Sequence, residues 1–176
     1  MVNLASTTRG RILLIVMTLA LWASISSPAL AATTTPFRAN FAERTTFVLC
    51  PLLGAPIGAT CFRGEGFGTA TPPGGPARHT FTGHLVADPS IKCPARLTSH
   101  STATIFTSQG NLSLAAQGSQ CPPAAGETGT WSALGGTGIF AGAVGGGSYT
   151  TTDVVVNLDG TVSSNTTYTG TLTLRG

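Results

Sequence analysis

The sequence predicts an all-β fold, an eight-stranded antiparallel up-and-down barrel. After residue 31, glycine and proline interrupt nearly every window of about a dozen residues, so no amphipathic helix of useful length is expected. Eight segments have the composition of strands, and turn signals such as Gln109-Gly110 and Asp159-Gly160 separate them. Short loops between consecutive strands favour a meander, and eight such strands can close on themselves.

The predicted strands are bounded by turn residues. They are expected over Thr45–Cys50, Ala59–Thr71, Arg78–Ala87, Arg96–Ser108, Asn111–Gly118, Thr128–Ala133, Gly142–Val156 and Thr161–Leu174. The last strand alternates most clearly, because Tyr168, Leu172 and Leu174 share one face and threonines fill the other. In the second strand one face has almost no side-chain volume, which predicts a sharp bend or a close approach of another group. That face carries Phe62, Gly64, Gly66, Gly68 and Ala70.

Residues 1–31 predict a secretory signal peptide. Arg9 and Arg11 precede an apolar stretch over residues 12–23, and Ala29-Leu30-Ala31 forms an A-x-A cleavage site. The apolar run is shorter than the roughly 20 residues of a bilayer span, so a membrane anchor is the less favoured alternative. We therefore expect a secreted or periplasmic protein with a loose N-terminal arm over residues 32–44 and a single barrel domain over residues 45–176.

Charge and composition limit the partners. Two of the nine basic residues lie in the signal peptide, six residues are acidic, and Lys92 is the single lysine. Nucleic-acid binding needs clustered Lys and Arg, so no nucleic-acid partner is expected. Stable membrane insertion is not expected either, because an outer-membrane barrel needs an apolar lipid-facing band and these strands have threonine-rich faces. An oligomer is compatible with this composition.

The four cysteines predict two disulfides, since an even number in an exported chain is typical of a disulfide framework. They are Cys50, Cys61, Cys93 and Cys121. Three pairings are possible, and we favour the local ones, Cys50 with Cys61 and Cys93 with Cys121. Prolines and glycines between Cys50 and Cys61 must turn the chain back on itself. A zinc site made by all four thiolates is the less favoured alternative, because no C-x-x-C spacing exists.

The most distinctive motif is the glycine-rich run over residues 135–145, GGTGIFAGAVG. Residues 136–141 formally match the dinucleotide fingerprint G-x-G-x-x-[GA], but that motif requires a helix to begin there. The glycines and threonines that follow cannot form a stable helix. The run is better explained as a tight turn in which Gly135, Gly136 and Gly138 take positive φ and Phe140 plugs one end of the barrel.

This run resembles the G-G-[ST]-G-x-F-x-x-x-x-G segment shared by allene oxide cyclases and dirigent proteins. The resemblance is specific over about a dozen residues, centred on residues 135–145. Over the rest of the chain it concerns only the topology. It implies a calycin-like eight-stranded barrel with a hydrophobic interior that can hold one small apolar molecule. Proteins of those families act mainly by shaping a bound reactive intermediate, but none of their catalytic residues can be placed on this chain. The glycine and threonine content is more similar to exported bacterial proteins that share this turn.

A search for chemistry independent of that resemblance identifies no catalytic residue, metal site or cofactor site. His79, His84 and His100 lack metal-ligand spacing and are expected to be surface or capping residues. The carboxylates fall mostly in or beside turns, where solvated or capping roles are usual. They are Glu43, Glu65, Asp88, Glu127, Asp153 and Asp159.

One strand face offers weak ligand-binding candidates. Arg63 and Glu65 are two residues apart on one predicted strand, with Phe67 next along the same face. They could orient a ligand if that face points inward. The favoured alternative is an exposed ion pair worth about 0 to 1 kcal/mol.

Two function classes follow from these observations. The preferred one is a non-enzymatic exported barrel that binds a small apolar ligand or a surface partner. The alternative is an isomerase or cyclase of the allene oxide cyclase or dirigent type, which would need polar groups converging in a cavity. A cavity would distinguish both classes from an inert, packed barrel.

Overall fold

The protein forms a closed antiparallel β-barrel. The computed structural model describes residues 32–50, 55–89, 96–121 and 126–175, so the predicted signal peptide over residues 1–31 lies outside the described residues. The strands are β1 (Thr33–Val48), β2 (Thr60–Thr71), β3 (Pro76–Ala87), β4 (Leu97–Thr107), β5 (Gly110–Gln120), β6 (Glu127–Gly136), β7 (Val144–Val156) and β8 (Val162–Leu174). Each strand pairs with the next along the chain, and β8 pairs with β1. The predicted eight-stranded up-and-down barrel is therefore confirmed.

The N-terminal segment differs from the expectation. Residues 32–44 were expected to be a loose arm outside the barrel domain, but β1 begins at Thr33 and pairs with both β2 and β8. Its buried and exposed side chains alternate from Phe37 onward. Pro36 disrupts the sequence pattern but is tolerated, because the pairing of β1 with β2 starts only at Arg38.

Apolar side chains fill the end of the barrel at which β1 begins, which we call the packed end. The most deeply buried of them are Phe37, Ala39, Ile105, Leu112, Leu114, Phe140 and Leu172. Trp131 lies beside them, with its ring edge-on to that of Phe37 at a centroid distance of 5.1 Å. The indole N–H of Trp131 donates to the backbone oxygen of Thr169 at 3.1 Å, so this buried polar group is satisfied.

The glycine-rich turn covers the packed end. Gly138–Phe140 form one turn of 3-10 helix, and the amide of Ile139 donates to the carbonyl oxygen of Gln109 in the β4–β5 turn at 3.1 Å. Gly135 and Gly138 have positive φ, as expected, whereas Gly136 does not. At Gly136 a side chain is excluded for another reason, because an added Cβ would overlap the carbonyl group of Asn111. The Phe140 side chain is fully buried beneath this turn.

The low-volume face of β2 points inward and lets neighbouring side chains approach. A Cβ added at Gly64 would overlap the Phe81 ring, and one added at Gly66 would lie 2.8 Å from Cγ of Glu43. The glycines of β2 therefore make room inside the barrel for side chains from β1 and β3.

A disulfide joins Cys50, two residues after β1, to Cys61 in β2, with a Cα–Cα distance of 5.0 Å. This confirms the first of the two predicted pairings. Cys121 is also disulfide-bonded. Cys93 lies outside the described residues, so the pairing of Cys93 with Cys121 stays a prediction.

Candidate functional site

A cavity of about 310 Å³ occupies the other half of the barrel, which we call the open end. It lies where β1 ends and β2 begins, opposite Phe140. Apolar side chains form much of its wall: Phe47, Phe62, Phe81, Leu85, Val154, Val156 and Val162. Polar side chains from seven strands form the rest, and some of them belong to two hydrogen-bonded groups.

The first polar group centres on His79. Its Nδ1 atom lies 2.8 Å from Oε1 of Glu43, and the hydroxyl of Thr166 donates to Oε2 of the same carboxylate at 2.7 Å. The hydroxyl of Tyr168 lies 3.4 Å from Nε2 of His79. Both members of the Glu43–His79 pair are buried, at 9% and 1% exposure. A buried charge is tolerated only where it is paired or hydrogen-bonded, and here every polar atom of the pair has a partner.

Aromatic rings hold the His79 side chain in place. The Phe41 ring stacks on it at a centroid distance of 4.8 Å, and the Phe81 ring lies 5.1 Å away on β3. Tyr168 meets it edge-on at 5.5 Å. The inward alternation of β3, with Ala77, His79 and Phe81 on one face, brings His79 into the barrel.

The second polar group centres on Glu127 at the start of β6. The hydroxyls of Ser99 and Tyr149 both donate to its Oε1 atom, and the two hydroxyl oxygens are 3.2 Å apart. Its Oε2 atom receives no hydrogen bond from the part of the chain that the structure describes. Glu127 lines the cavity, so this oxygen is available to a bound molecule.

The two tyrosines join the groups and act as neutral hydrogen-bonding side chains. Their rings stack at a centroid distance of 5.6 Å. Burial raises the pKa of the Tyr149 hydroxyl far above its usual range, and the neighbouring Glu127 carboxylate adds to the shift. Burial likewise raises the pKa of Tyr168, with Glu43 contributing next. Both hydroxyls therefore stay protonated while the protein is folded.

The sequence candidates Arg63, Glu65 and Phe67 lie on the outer face of β2, not in the cavity. All three are exposed, Phe67 at 62%, because the inner face of that strand is the glycine face. The condition for orienting a ligand inside the barrel, an inward-pointing face, is therefore not met by these three side chains. Arg63 and Glu65 do not form the alternative ion pair either; the ion pairs within the described ranges join Arg44 to Asp159 and His79 to Glu43.

The side chains that do meet in the cavity were assigned other roles from the sequence. Glu43 was placed in the arm, His79 on the surface and Glu127 beside a turn, whereas all three face inward. A usable signal existed for His79, since it alternates with the apolar residues Ala77 and Phe81. No comparable local signal marks Glu127, which stands between glycines and threonines.

The other two histidines lie together outside the barrel. His84 and His100 are register partners on β3 and β4, and their rings stack at a centroid distance of 5.3 Å. Within residues 32–50, 55–89, 96–121 and 126–175, no group of three or more His, Cys, Asp or Glu side chains is arranged to hold a metal ion. The same ranges contain no helix long and apolar enough to cross a membrane.

Comparison with known proteins identifies the fold. No protein-family model matches the chain, and no curated protein matches it. Among solved structures, a pterocarpan synthase dirigent protein has a similar fold, with a TM-score of 0.52 and 16% sequence identity. The match covers 89% of this chain and 99% of that protein. The barrel is therefore dirigent-like, which agrees with the resemblance of residues 135–145.

Proposed function

We propose that this protein binds a small, largely apolar molecule in the cavity at the open end. The observation that carries the proposal is the cavity itself, with an apolar wall and two polar groups on its inner surface. Its volume of about 310 Å³ is at the lower end of the range for ligand sites, which favours a ligand with few rings.

The contrast with a filled barrel supports this proposal. Eight-stranded barrels can be filled by their own side chains, as the packed end is here. At the open end, Glu43, His79 and Glu127 occupy inward positions that apolar side chains could fill at a lower desolvation cost. Polar groups that line an apolar cavity fix the orientation of a ligand and select it.

We also infer that the protein acts outside the cytoplasm. The Cys50–Cys61 disulfide supports this, because structural disulfides persist in oxidising compartments. The predicted signal peptide supports it independently. Amino-terminal sequencing of the exported protein tests the inference, with Ala32 as the expected first residue.

Fluorescence titration with α-naphthol, which combines an apolar body with one hydroxyl, tests the binding function. Ser101 lines the cavity, whereas its neighbour Thr102 points outward on the same strand. We expect saturable binding by the wild type, at least about tenfold weaker binding by Ser101→Trp, and no change in Thr102→Trp. Absence of wild-type binding would contradict the proposal. Equal effects of the two tryptophan substitutions on the affinity for α-naphthol would also contradict it.

A second candidate function is an isomerase or cyclase that shapes a bound intermediate. It is favoured by the convergence of Glu127 with the Tyr149 and Tyr168 hydroxyls, which offers a base and neutral acids on one cavity wall. The solved protein of similar fold is named a pterocarpan synthase. Glu127 would take a proton from a carbon beside a carbonyl group, and a tyrosine hydroxyl would donate a hydrogen bond to the resulting enolate.

Deuterium exchange tests this second function without knowledge of the substrate. The protein is incubated in heavy water with α-tetralone, whose acidic hydrogens are on the one CH2 group next to its carbonyl group. The wild type should speed the exchange at that carbon, and Glu127→Gln should not. Equal exchange rates with and without wild-type protein would reject this candidate and leave the binding function intact.

A further inference from the structure

The described residues that line the cavity carry an excess of negative charge. Two carboxylates, Glu43 and Glu127, line it, and no lysine or arginine does so within the described residues. His79 is the one basic group among the described lining residues, and it is already bound to Glu43. Even with both ring nitrogens protonated, His79 balances only one of the two carboxylates.

Glu127 is the carboxylate for which the described residues supply no cationic partner. Its two hydrogen-bond donors, the hydroxyls of Ser99 and Tyr149, are neutral and both bind Oε1. Such donors stabilise a carboxylate but do not neutralise it. The Oε2 atom therefore offers a charged acceptor that the described side chains leave unused.

Aromatic rings form part of the cavity wall, and one of them, Tyr149, contacts this carboxylate. Phe62, Phe81, Tyr149 and Tyr168 line the same cavity. Aromatic faces attract cations, and the attraction is stronger where water is excluded. An anionic carboxylate beside aromatic rings is a combination that suits an ammonium group on an apolar body, because each feature favours a positive charge.

We propose that the ligand of this cavity is an organic cation, an amine that is protonated at neutral pH and attached to a compact apolar body. This inference rests on the proposed binding function and specifies its ligand class. The ammonium N–H groups donate to Oε2 of Glu127, and the apolar body contacts Phe62, Phe81 and the valines of the cavity wall. A carboxylate-bearing molecule of the same shape is repelled.

Three matched probes test this ligand class in the wild-type protein. Phenethylamine is cationic at neutral pH, phenethyl alcohol is its neutral analogue, and hydrocinnamate is an anion of similar size. Isothermal titration calorimetry should show phenethylamine binding at least about tenfold more tightly than the alcohol, with no binding of hydrocinnamate. Equal affinity for the amine and the alcohol would overturn the inference while leaving the binding function in place. Absence of binding by all three would overturn both.

Two variants test the role of Glu127. Glu127→Gln keeps the shape of the side chain and should reduce the affinity for the amine to that for the alcohol, with the alcohol affinity unchanged. Glu65→Gln removes a carboxylate from the outer face and should leave the preference for the amine intact. Persistence of that preference in Glu127→Gln would overturn the assignment of Glu127. If Glu127→Gln does not fold, the wild-type comparison of the three probes still decides the ligand class.

Discussion

The two ends of this barrel are built by the same eight strands and yet have opposite interiors. At the packed end, inward positions hold apolar side chains such as Phe37, Leu112 and Leu172, which are at most 2% exposed. At the open end, inward positions hold Glu43, His79 and Glu127 around a cavity of about 310 Å³. The difference shows that one meander can build a filled interior and a cavity along the same axis.

The connections between strands account for part of this difference. The β6–β7 connection folds Phe140 over the packed end, where it is fully buried. At the open end, three apolar side chains in or beside the described parts of the connections are exposed and do not pack over the cavity: Leu49, Ile57 and Leu158. Burial of apolar area therefore stabilises the packed end, whereas these three side chains add no such cover over the cavity.

The largest expected effect lies at the packed end. Phe140→Ala should lower the free energy of unfolding by about 3 to 5 kcal/mol, because it leaves a cavity beneath a turn that cannot collapse easily. Phe67→Ala on the outer face is the matched control and should change it by no more than about 0.5 kcal/mol. Urea denaturation followed by Trp131 fluorescence measures both. A Phe140→Ala protein as stable as the control would show that the turn is not a structural plug.

The disulfide should have the next largest effect, at the open end. Replacing Cys50 and Cys61 together by serine should lower the free energy of unfolding by about 3 kcal/mol, since the bond closes a loop with a sequence separation of 11. Denaturation of the double variant measures the loss.

Non-reducing peptide mapping of the wild type should also recover Cys93 linked to Cys121. Stoichiometric zinc, or a linkage of Cys50 to either of those cysteines, would contradict the pairing.

The cavity wall should be sensitive to alkaline pH, because it contains two buried tyrosines. Tyr149 and Tyr168 are the two tyrosines of the chain, and burial raises both pKa values in the folded state. Above a pH of about 10 the unfolded chain loses these protons and the folded protein keeps them, so stability falls by about 1.4 kcal/mol per pH unit for each tyrosine. Below that pH the contribution is fully present. Tyrosinate absorbance should therefore appear only together with the loss of β-structure seen by circular dichroism, and gradual ionisation of the folded protein would contradict the burial.

The smallest effect is expected outside both ends. Arg63→Ala and Glu65→Ala should each change the free energy of unfolding by less than about 1 kcal/mol, because both side chains are exposed on the outer face of β2. Neither should alter α-naphthol binding. Selective loss of binding in either variant, with stability unchanged, would place the ligand on the outer face of the barrel and not in its cavity.

Much of the fold could be predicted because its signals are local. Strand alternation in β8 and turn residues such as Asp159-Gly160 depend on near neighbours in the chain, and the observed strand bounds follow them closely. The error over residues 32–44 has a non-local cause. Pro36 and the charged residues of β1 obscure its alternation, and only pairing on both sides, with β2 and β8, makes this segment a strand.

The candidate site could not be predicted in the same way. Glu43, His79 and Glu127 are far apart in the sequence, and each has an ordinary explanation when considered alone. The same limit applies to Arg63 and Glu65. Their strand face becomes an inner or an outer face only when the barrel closes, so the sequence did not show that they are exposed.

By itself, the sequence determined the all-β class, the number of strands, their meander order and the turn over residues 135–145. These properties depend on backbone preferences and on the period of side-chain alternation, which act within a few residues. Only the tertiary structure decided which faces point inward, which end is filled and which polar side chains meet. Closure of β1 against β8 brings Glu43 within 2.7 Å of Thr166, although 123 positions separate them along the chain. Contacts between residues so far apart in the sequence depend on the register of the whole barrel. No short segment of the sequence determines that register.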